Sequence, residues 1–287
     1  MNLKNLIERK LIHPPDFLAD NLCYLTIMGS EAYGCEQDKS DKDFYGFCMP
    51  SLSYVFPHTA GYIEGFDEIP RFLSWQQHHV KDDKKNYDFE VFSIVHYFRL
   101  LSDGNPNIID SIFTPDDCVQ HSTHISDLVR QKRKLFLSKK LYHKFKGYAF
   151  SQMKKVESKI AVGKRKELVE KFGYDTKFLS HCYRLCEECR QILEEGDLDI
   201  RRSRDAQKAI RRGDMGLQEV KNWFTQKDGE LERLYETSTI PHSPDKCSIK
   251  ELLLNCLEHH YGSIDHLVKR NEGRSDEIIM KIRELIV

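Results

Sequence analysis

Apolar positions follow two regimes along the chain. In the first third they come in short runs bounded by glycine, proline and charge, the pattern of strands. Leu22 to Met28 is one such run and stops at Gly29; Phe44 to Met49 is a second and Tyr87 to Ser93 a third. Pro50 to about Asn86, rich in aromatics and charge, is expected to be a long connection with small elements of its own. Elsewhere the apolar residues recur three and four apart. Leu3, Leu6, Ile7 and Leu11 predict a helix over 2–12 that Pro14-Pro15 stops. Ile94, Val95, Tyr97, Phe98 and Leu101 predict one over 93–102, closed by Gly104. Asn105-Pro106-Asn107 predicts a rigid turn before a short helix.

From Leu128 onward the chain reads as helical. Phe178, Cys182, Leu185, Cys189 and Ile192 make the buried stripe of a helix opened by Asp175 or Thr176 and closed by Gly196. Asp214 to Tyr235 is another helix. Ser248 and Glu251 form a capping box for one that runs through His259-His260, and Ser275 caps a last helix over 276–286. Thr239 to Lys246, with Pro241 and Pro244, reads as a linker.

Composition narrows the class. The 287 residues suit one large or two modest domains. A net charge of −1 gives no global attraction to nucleic acid or membrane. No apolar run reaches the roughly 18 residues of a spanning helix, and the amphipathic N-terminus lacks the pattern of a signal peptide. The nine cysteines are scattered and odd in number, which fits reduced, mostly buried thiols in a cytoplasmic protein.

Candidate chemistry concentrates between residues 25 and 47. Gly29 and Gly34 allow tight turns and close approach to a ligand. Ser30 places a hydroxyl and a backbone N–H just past the strand end, where a phosphate oxygen can be held. Asp41 and Asp43 open the second strand two residues apart, so they project from one face. Two carboxylates that close call for a cation between them, and an all-oxygen donor set suits Mg²⁺ or Mn²⁺ shared with substrate phosphates. On the third strand Asp88 and Glu90 again share a face.

The spacing Gly29-Ser30-x-x-Tyr33-Gly34 followed by Ser40-Asp41-x-Asp43-x-x-Gly46 resembles the signature of the DNA polymerase beta-type nucleotidyltransferases. The resemblance implies that Gly29-Ser30 holds the triphosphate of a nucleotide and that Asp41 and Asp43 bind two metal ions. It takes the third carboxylate from the head of a later strand, which Asp88 matches, with Glu90 as the fallback. Asn105-Pro106-Asn107 and the pattern Tyr174-Asp175-x-Lys177-x-x-x-His181-x-x-Arg184-Leu185 resemble a branch of predicted nucleotidyltransferases (the YcgL type) with bacterial and phage members.

Lys177, His181, Arg184 and Glu188 form one polar helix stripe. Lys177, His181 and Arg184 are expected to face the cleft and contact nucleotide or acceptor phosphates. Their alternative is a solvated basic face. From 132 to 171 lysine and arginine dominate, with Phe136, Tyr142, Phe145, Tyr148 and Phe150 interleaved. Such a stretch either binds a polynucleotide, with aromatics stacking bases, or is a long helix whose aromatics are its core stripe. Zinc is not expected. His78 and His79, being adjacent on a strand, should face opposite ways, and Cys182, Cys186 and Cys189 lie on an apolar helix face.

The expected fold is α+β: a small mixed sheet carrying the acidic site over 1–120, then a helical domain over 121–287 that closes the cleft. The implied activity is metal-dependent transfer of a nucleoside monophosphate from a nucleoside triphosphate to an acceptor hydroxyl. An RNA 3′ end, such as that of tRNA, is the first candidate acceptor, then a small molecule, then a protein hydroxyl. A nucleic-acid-binding or regulatory protein on the same fold is the alternative. Oligomeric state is not legible.

Overall fold

A computed structural model describes residues 3–35, 42–83, 85–157 and 164–268. Asp41, the loop before it, part of the basic run and the helix expected over 276–286 lie outside the described residues.

The chain opens with α1 (Leu3–Glu8), β1 (Leu22–Ile27), the one-turn α2 (Gly29–Ala32), β2 (Lys42–Cys48) and α3 (Leu52–Val55). A hairpin of β3 (Ser74–Asp82) and β4 (Lys85–Ser93) leads into α4 (Ile94–Ser102) and α5 (Pro106–Ile112). Then come β5 (Val119–Ser122), α6 (His124–Gln131), α7 (Lys140–Glu157), α8 (Lys164–Phe172) and α9 (Thr176–Glu195). The described chain closes with α10 (Arg204–Arg212), α11 (Leu217–Thr237) and α12 (Lys246–Tyr261).

The five strands form one sheet in the order β3-β4-β2-β1-β5, α+β as expected. β2 and β4 pair in parallel; the other neighbours are antiparallel. These directions bring the end of β1 and the starts of β2, β4 and β5 to one edge of the sheet. Along that edge the strand order sets the spatial order: the His78-His79 part of β3, then Asp88, Asp43, the Gly29-Ser30 turn, and Asp117-Cys118 ahead of β5.

Alternation builds two packed faces. On one face Phe44 stacks on Phe89 at 5.0 Å between ring centroids, with Trp75 beside Phe89 at 5.9 Å. On the other, Phe47 of β2 meets Tyr97 of α4 at 4.9 Å. The last helices return to the sheet half: α12 packs on α4 and α6, while α9 lies on α7, α10 and α11. The buried core is continuous from Leu3 to Ile264.

Several expectations are corrected by this packing. The connection expected after Pro50 contains β3, an edge strand whose polar alternation hides it. β5, only four residues long, falls before the region read as helical. The cap of α12 is Asp245, which accepts from the N–H groups of Cys247 and Ser248 at 3.0 and 3.2 Å, rather than Ser248. The stretch read as a linker is pinned, since Lys139 N–H donates to the Pro241 carbonyl at 2.9 Å. All nine cysteines are free, and all but Cys247 are buried. No described helix is long and apolar enough to cross a membrane.

Candidate active site

β1 is buried along its whole length and is followed by Met28, whose N–H donates to the Asp43 carbonyl at 2.7 Å. The next residue, Gly29, has φ +67°, a conformation other residues adopt only with strain. A Cβ at Gly29 would also overlap the carboxylate oxygen Oδ2 of Asp43. Glycine is therefore required twice over, by backbone conformation and by the acid lying against it. Ser30 follows, half-buried, at the mouth of this turn.

Asp43 is the register partner of Asp88 across the parallel pair β2–β4. Parallel partners point to the same face, so the two acids leave neighbouring strands, about 4.8 Å apart at the backbone, toward one side of the sheet. Glu90 is instead the partner of Tyr45, one step deeper. It accepts from Gln76 Nε2 at 2.5 Å, and together with burial it pushes the Tyr45 phenol up. Asp88, rather than Glu90, is thus the acid brought opposite Asp43.

The edge strand wraps this acid. β3 has a bulge between Gln77 and Val80, where His79 takes φ +57°. The bulge turns the His79 N–H toward Asp88, donating to Oδ1 at 2.6 Å. It also defeats the alternation expected of adjacent residues. Nδ1 of His78 and of His79 both approach Asp88, at 3.7 and 4.0 Å. These two histidines belong to the acid's surroundings, which strand periodicity alone does not reveal.

The chemistry of the donors suits a hard divalent cation. Asp43 and Asp88 offer carboxylate oxygens from one face, and the lack of a Cβ at Gly29 lets the turn lie directly against the Asp43 acid. Among the described residues no group of three histidines, cysteines or acids is assembled around a metal position. Asp41, the expected companion of Asp43, lies outside the described residues.

The polar stripe of α9 does not stay at the surface. Asp175 caps the helix, accepting from the N–H groups of Lys177 and Phe178 at 2.9 and 3.2 Å, and Gly196 closes it in the left-handed conformation. Lys177 is exposed and His181 half-buried. Arg184 and Glu188 are only 2% and 1% exposed. This corrects the expectation that Arg184 faces an open cleft. Its guanidinium pairs with Asp110 of α5 and with both oxygens of Glu188, and lies over the Tyr33 ring at 4.1 Å. The Tyr33 hydroxyl in turn donates to Asp110 Oδ2 at 2.8 Å. Tyr33 ends the short helix that begins at Gly29, so Arg184 reaches the turn through this buried group rather than through a ligand. Burial pushes the Glu188 carboxyl well above the usual range and Asp110 the same way, while Arg184 pulls both back.

More of the helical half grips the same turn. Arg201 donates through Nε to the Ala32 carbonyl at 3.0 Å and through a terminal nitrogen to Asp117 at 2.7 Å. Arg211 donates to the Cys35 carbonyl at 3.0 Å. The segment 201–212 carries Arg201, Arg202, Arg204, Lys208, Arg211 and Arg212 against one acid, Asp205. This basic density was visible in the sequence, overshadowed by the longer run over 132–171.

In that longer run the aromatics are mostly core. Phe136 and Phe145 are fully buried and Tyr142 nearly so, stacked on Tyr235 at 4.7 Å. Phe150 keeps 37% of its surface but packs on Phe224. Of the cations, Lys146 pairs with Asp228 at 2.7 Å and Lys134 with Asp197 at 2.6 Å. The stacking expectation therefore fails for Phe136, Tyr142 and Phe145, which have no face to offer a base.

Comparison with known proteins bears on this geometry. The sequence profile of the RNA repair pathway DNA polymerase beta family matches residues 2–243. An uncharacterised 38.9 kDa protein from the nrdC–mobD intergenic region of Enterobacteria phage T4 is 27% identical over 96 residues. That stretch is 33% of this chain and 26% of the phage protein, about a quarter of its length. A solved nucleotidyltransferase-like protein from Exiguobacterium sibiricum is 7% identical with a TM-score of 0.30, over 91% of this chain and 80% of the other.

Proposed function

The chain belongs to the RNA repair pathway DNA polymerase beta family, and from that premise we propose that it transfers a nucleoside monophosphate from a nucleoside triphosphate to an acceptor hydroxyl. Pyrophosphate is the other product, and the acceptor is an RNA 3′ end, in keeping with the family's description. The observation that carries the reading is the in-register pair Asp43 and Asp88 beside the Gly29 turn.

In this reading Asp41, Asp43 and Asp88 hold Mg²⁺ or Mn²⁺. Once bound, the cation lowers the pKa of the acceptor hydroxyl and offsets charge on the reacting phosphate. Asp43 and Asp88 fix where the phosphate chain lies, because their carboxylates share one face. Gly29 lets the turn approach Asp43 closely, and Ser30 with the N–H groups of the turn holds phosphate oxygens. The His79 N–H, bonded to Asp88 Oδ1, with His78 Nδ1 near Oδ2 at 3.7 Å, sets the orientation of that carboxylate. Lys177, exposed, and His181, half-buried, on the first turns of α9, contact the nucleotide or the acceptor. Arg184 positions the turn through Tyr33 and Asp110. No covalent intermediate is needed, since positioning and charge supply the catalysis.

The test is a transfer assay with each α-labelled nucleoside triphosphate, Mg²⁺ or Mn²⁺, and total RNA as acceptor. Small-molecule and protein extracts run in parallel, with Asp43→Asn as control. Label entering RNA and absent in the control supports the reading. Label entering another fraction changes the acceptor; no label in any fraction overturns the transfer reaction.

A further inference from the structure

Beyond the Gly29-Ser30 turn, on the side away from Asp43 and Asp88, the sheet edge opens into a cavity of about 340 Å³. Glu31 and Gly34 from the turn, Asp117 ahead of β5, and Arg201, Arg204 and Lys208 form its walls. We propose that this cavity is a phosphate subsite, occupied by a phosphate group of a substrate whose reacting centre lies at the acids. The proposal rests on the nucleotidyl-transfer reading for the identity of that substrate.

Charge matching carries the inference. Each acid in the wall already has a cation: Glu31 pairs with Lys42 at 2.7 Å, and Asp117 with Arg201 at 2.7 Å. Arg201 is consumed as a clamp, with its remaining nitrogens on the Ala32 carbonyl and on Cys118 Sγ at 3.2 Å. Among the described residues, the wall's two acids leave the charges of Arg204 and Lys208 uncompensated within the cavity. Arg204 pairs, among the described residues, with Asp205, at 3.8 Å from Nε, and both side chains are largely in water at 56% and 86% exposure, where such a pair is weak. Lys208 is exposed, four residues on and so on the same helix face as Arg204.

Position makes the anion a phosphate. The cavity, the turn and the acid pair lie in sequence along one sheet edge, set by the strand order β4-β2-β1-β5. A phosphate chain reacting at Asp43 and passing over Ser30 points its far end into the cavity. The phosphate of an incoming RNA strand meets the same two cations if it arrives from the β5 side. An apolar or cationic group gains nothing from this wall, whereas a guanidinium and an ammonium converging on one space match phosphate oxygens.

Calorimetry on the full chain tests this with two probes. One is inorganic tripolyphosphate in the presence of chelator; the other is an RNA octamer with and without a 5′-phosphate. Arg204→Ala/Lys208→Ala should lose about tenfold or more in affinity for the phosphorylated probe that occupies the site, while Arg204→Lys/Lys208→Arg retains most of it. Loss confined to tripolyphosphate assigns the subsite to the nucleotide's phosphate tail; loss confined to the 5′-phosphorylated RNA assigns it to the acceptor strand. Unchanged affinity for both probes in the alanine variant, in protein whose circular dichroism matches wild type, overturns the proposal. So does absence of binding of either probe to wild type. Transfer by wild type combined with unchanged anion affinity removes the subsite and spares the reaction. Anion binding that depends on Arg204 and Lys208, without any transfer, does the reverse.

Discussion

Asp43 and Asp88 are direct register partners on the one parallel strand pair of the described sheet, 45 positions apart in sequence and one strand spacing apart in space. Everything proposed about chemistry depends on that juxtaposition, and it makes the first prediction ordered. Asp43→Asn and Asp88→Asn should each lower transfer by about a hundredfold or more, the scale seen when a transition-state charge partner is removed. Glu90→Gln, one pair deeper and held by Gln76, should cost far less. A steady-state assay with labelled nucleotide ranks the three, and a larger loss at Glu90 would move the third carboxylate there.

Gly29→Ala combines two effects. The left-handed backbone costs about 1–2 kcal/mol for a residue with a Cβ, which corresponds to a melting-point drop of a few degrees in a chain this long. The new methyl also displaces the Asp43 carboxylate. Activity should therefore fall much further than the melting temperature implies, and measuring both on one preparation separates the two.

The buried group around Arg184 predicts contrasting stabilities. Arg184→Met leaves Asp110 and Glu188 in the core without their cation and should destabilise by about 3–5 kcal/mol in urea unfolding. Glu188→Gln leaves Arg184 with Asp110 and should be tolerated.

Glu188 also predicts a pH dependence. Its carboxyl is raised in the folded protein, so between the ordinary glutamate range and the raised value the folded chain keeps a proton that the unfolded chain has released. Folded-state proton excess means that stability falls as pH rises through this window. Glu188→Gln removes that loss. The melting temperature of the variant relative to wild type should rise as pH increases from the ordinary glutamate range upward, and a flat difference would place the raised carboxyl elsewhere.

The basic helix α7 predicts a charge effect without a stacking effect. Lys140 and Lys144 are exposed, and Lys140→Glu/Lys144→Glu should weaken RNA binding and lower its salt slope by about two. Tyr142→Phe should leave RNA affinity unchanged, because the ring is packed on Tyr235. Fluorescence anisotropy over a salt series reads both.

Local signals made part of this legible. β1, β2 and β4 announce themselves by apolar runs. Asp175 and Gly196 bracket α9 by cap chemistry, and the Gly29-Ser30 turn with Asp43 stands out from spacing alone. What escaped was set by distant parts of the chain. β3 is polar on its exposed alternation, so its pattern resembles loop. The bulge at His78-His79 breaks the period on which the two rings were assigned to opposite faces. Arg184 sits in a stripe that looks solvated until α5, 74 positions earlier, places Asp110 against it. Helical periodicity tells which residues share a face; it does not tell what the face meets.

The ion pair between Arg184 and Asp110 also decides how the chain can be divided. Its two members come from opposite sides of position 120, the expected boundary between a catalytic and a helical half. A fragment ending there would keep the acids and the turn, yet leave Asp110 and Tyr33 facing a vacated core and the Ala32 and Cys35 carbonyls without Arg201 and Arg211. The nucleotidyltransferase half is therefore not a transplantable module. Grafts, truncations and fusions that respect only the motif would carry its residues without the support that shapes them, and should be made with the chain through α12, which packs back on α4 and α6.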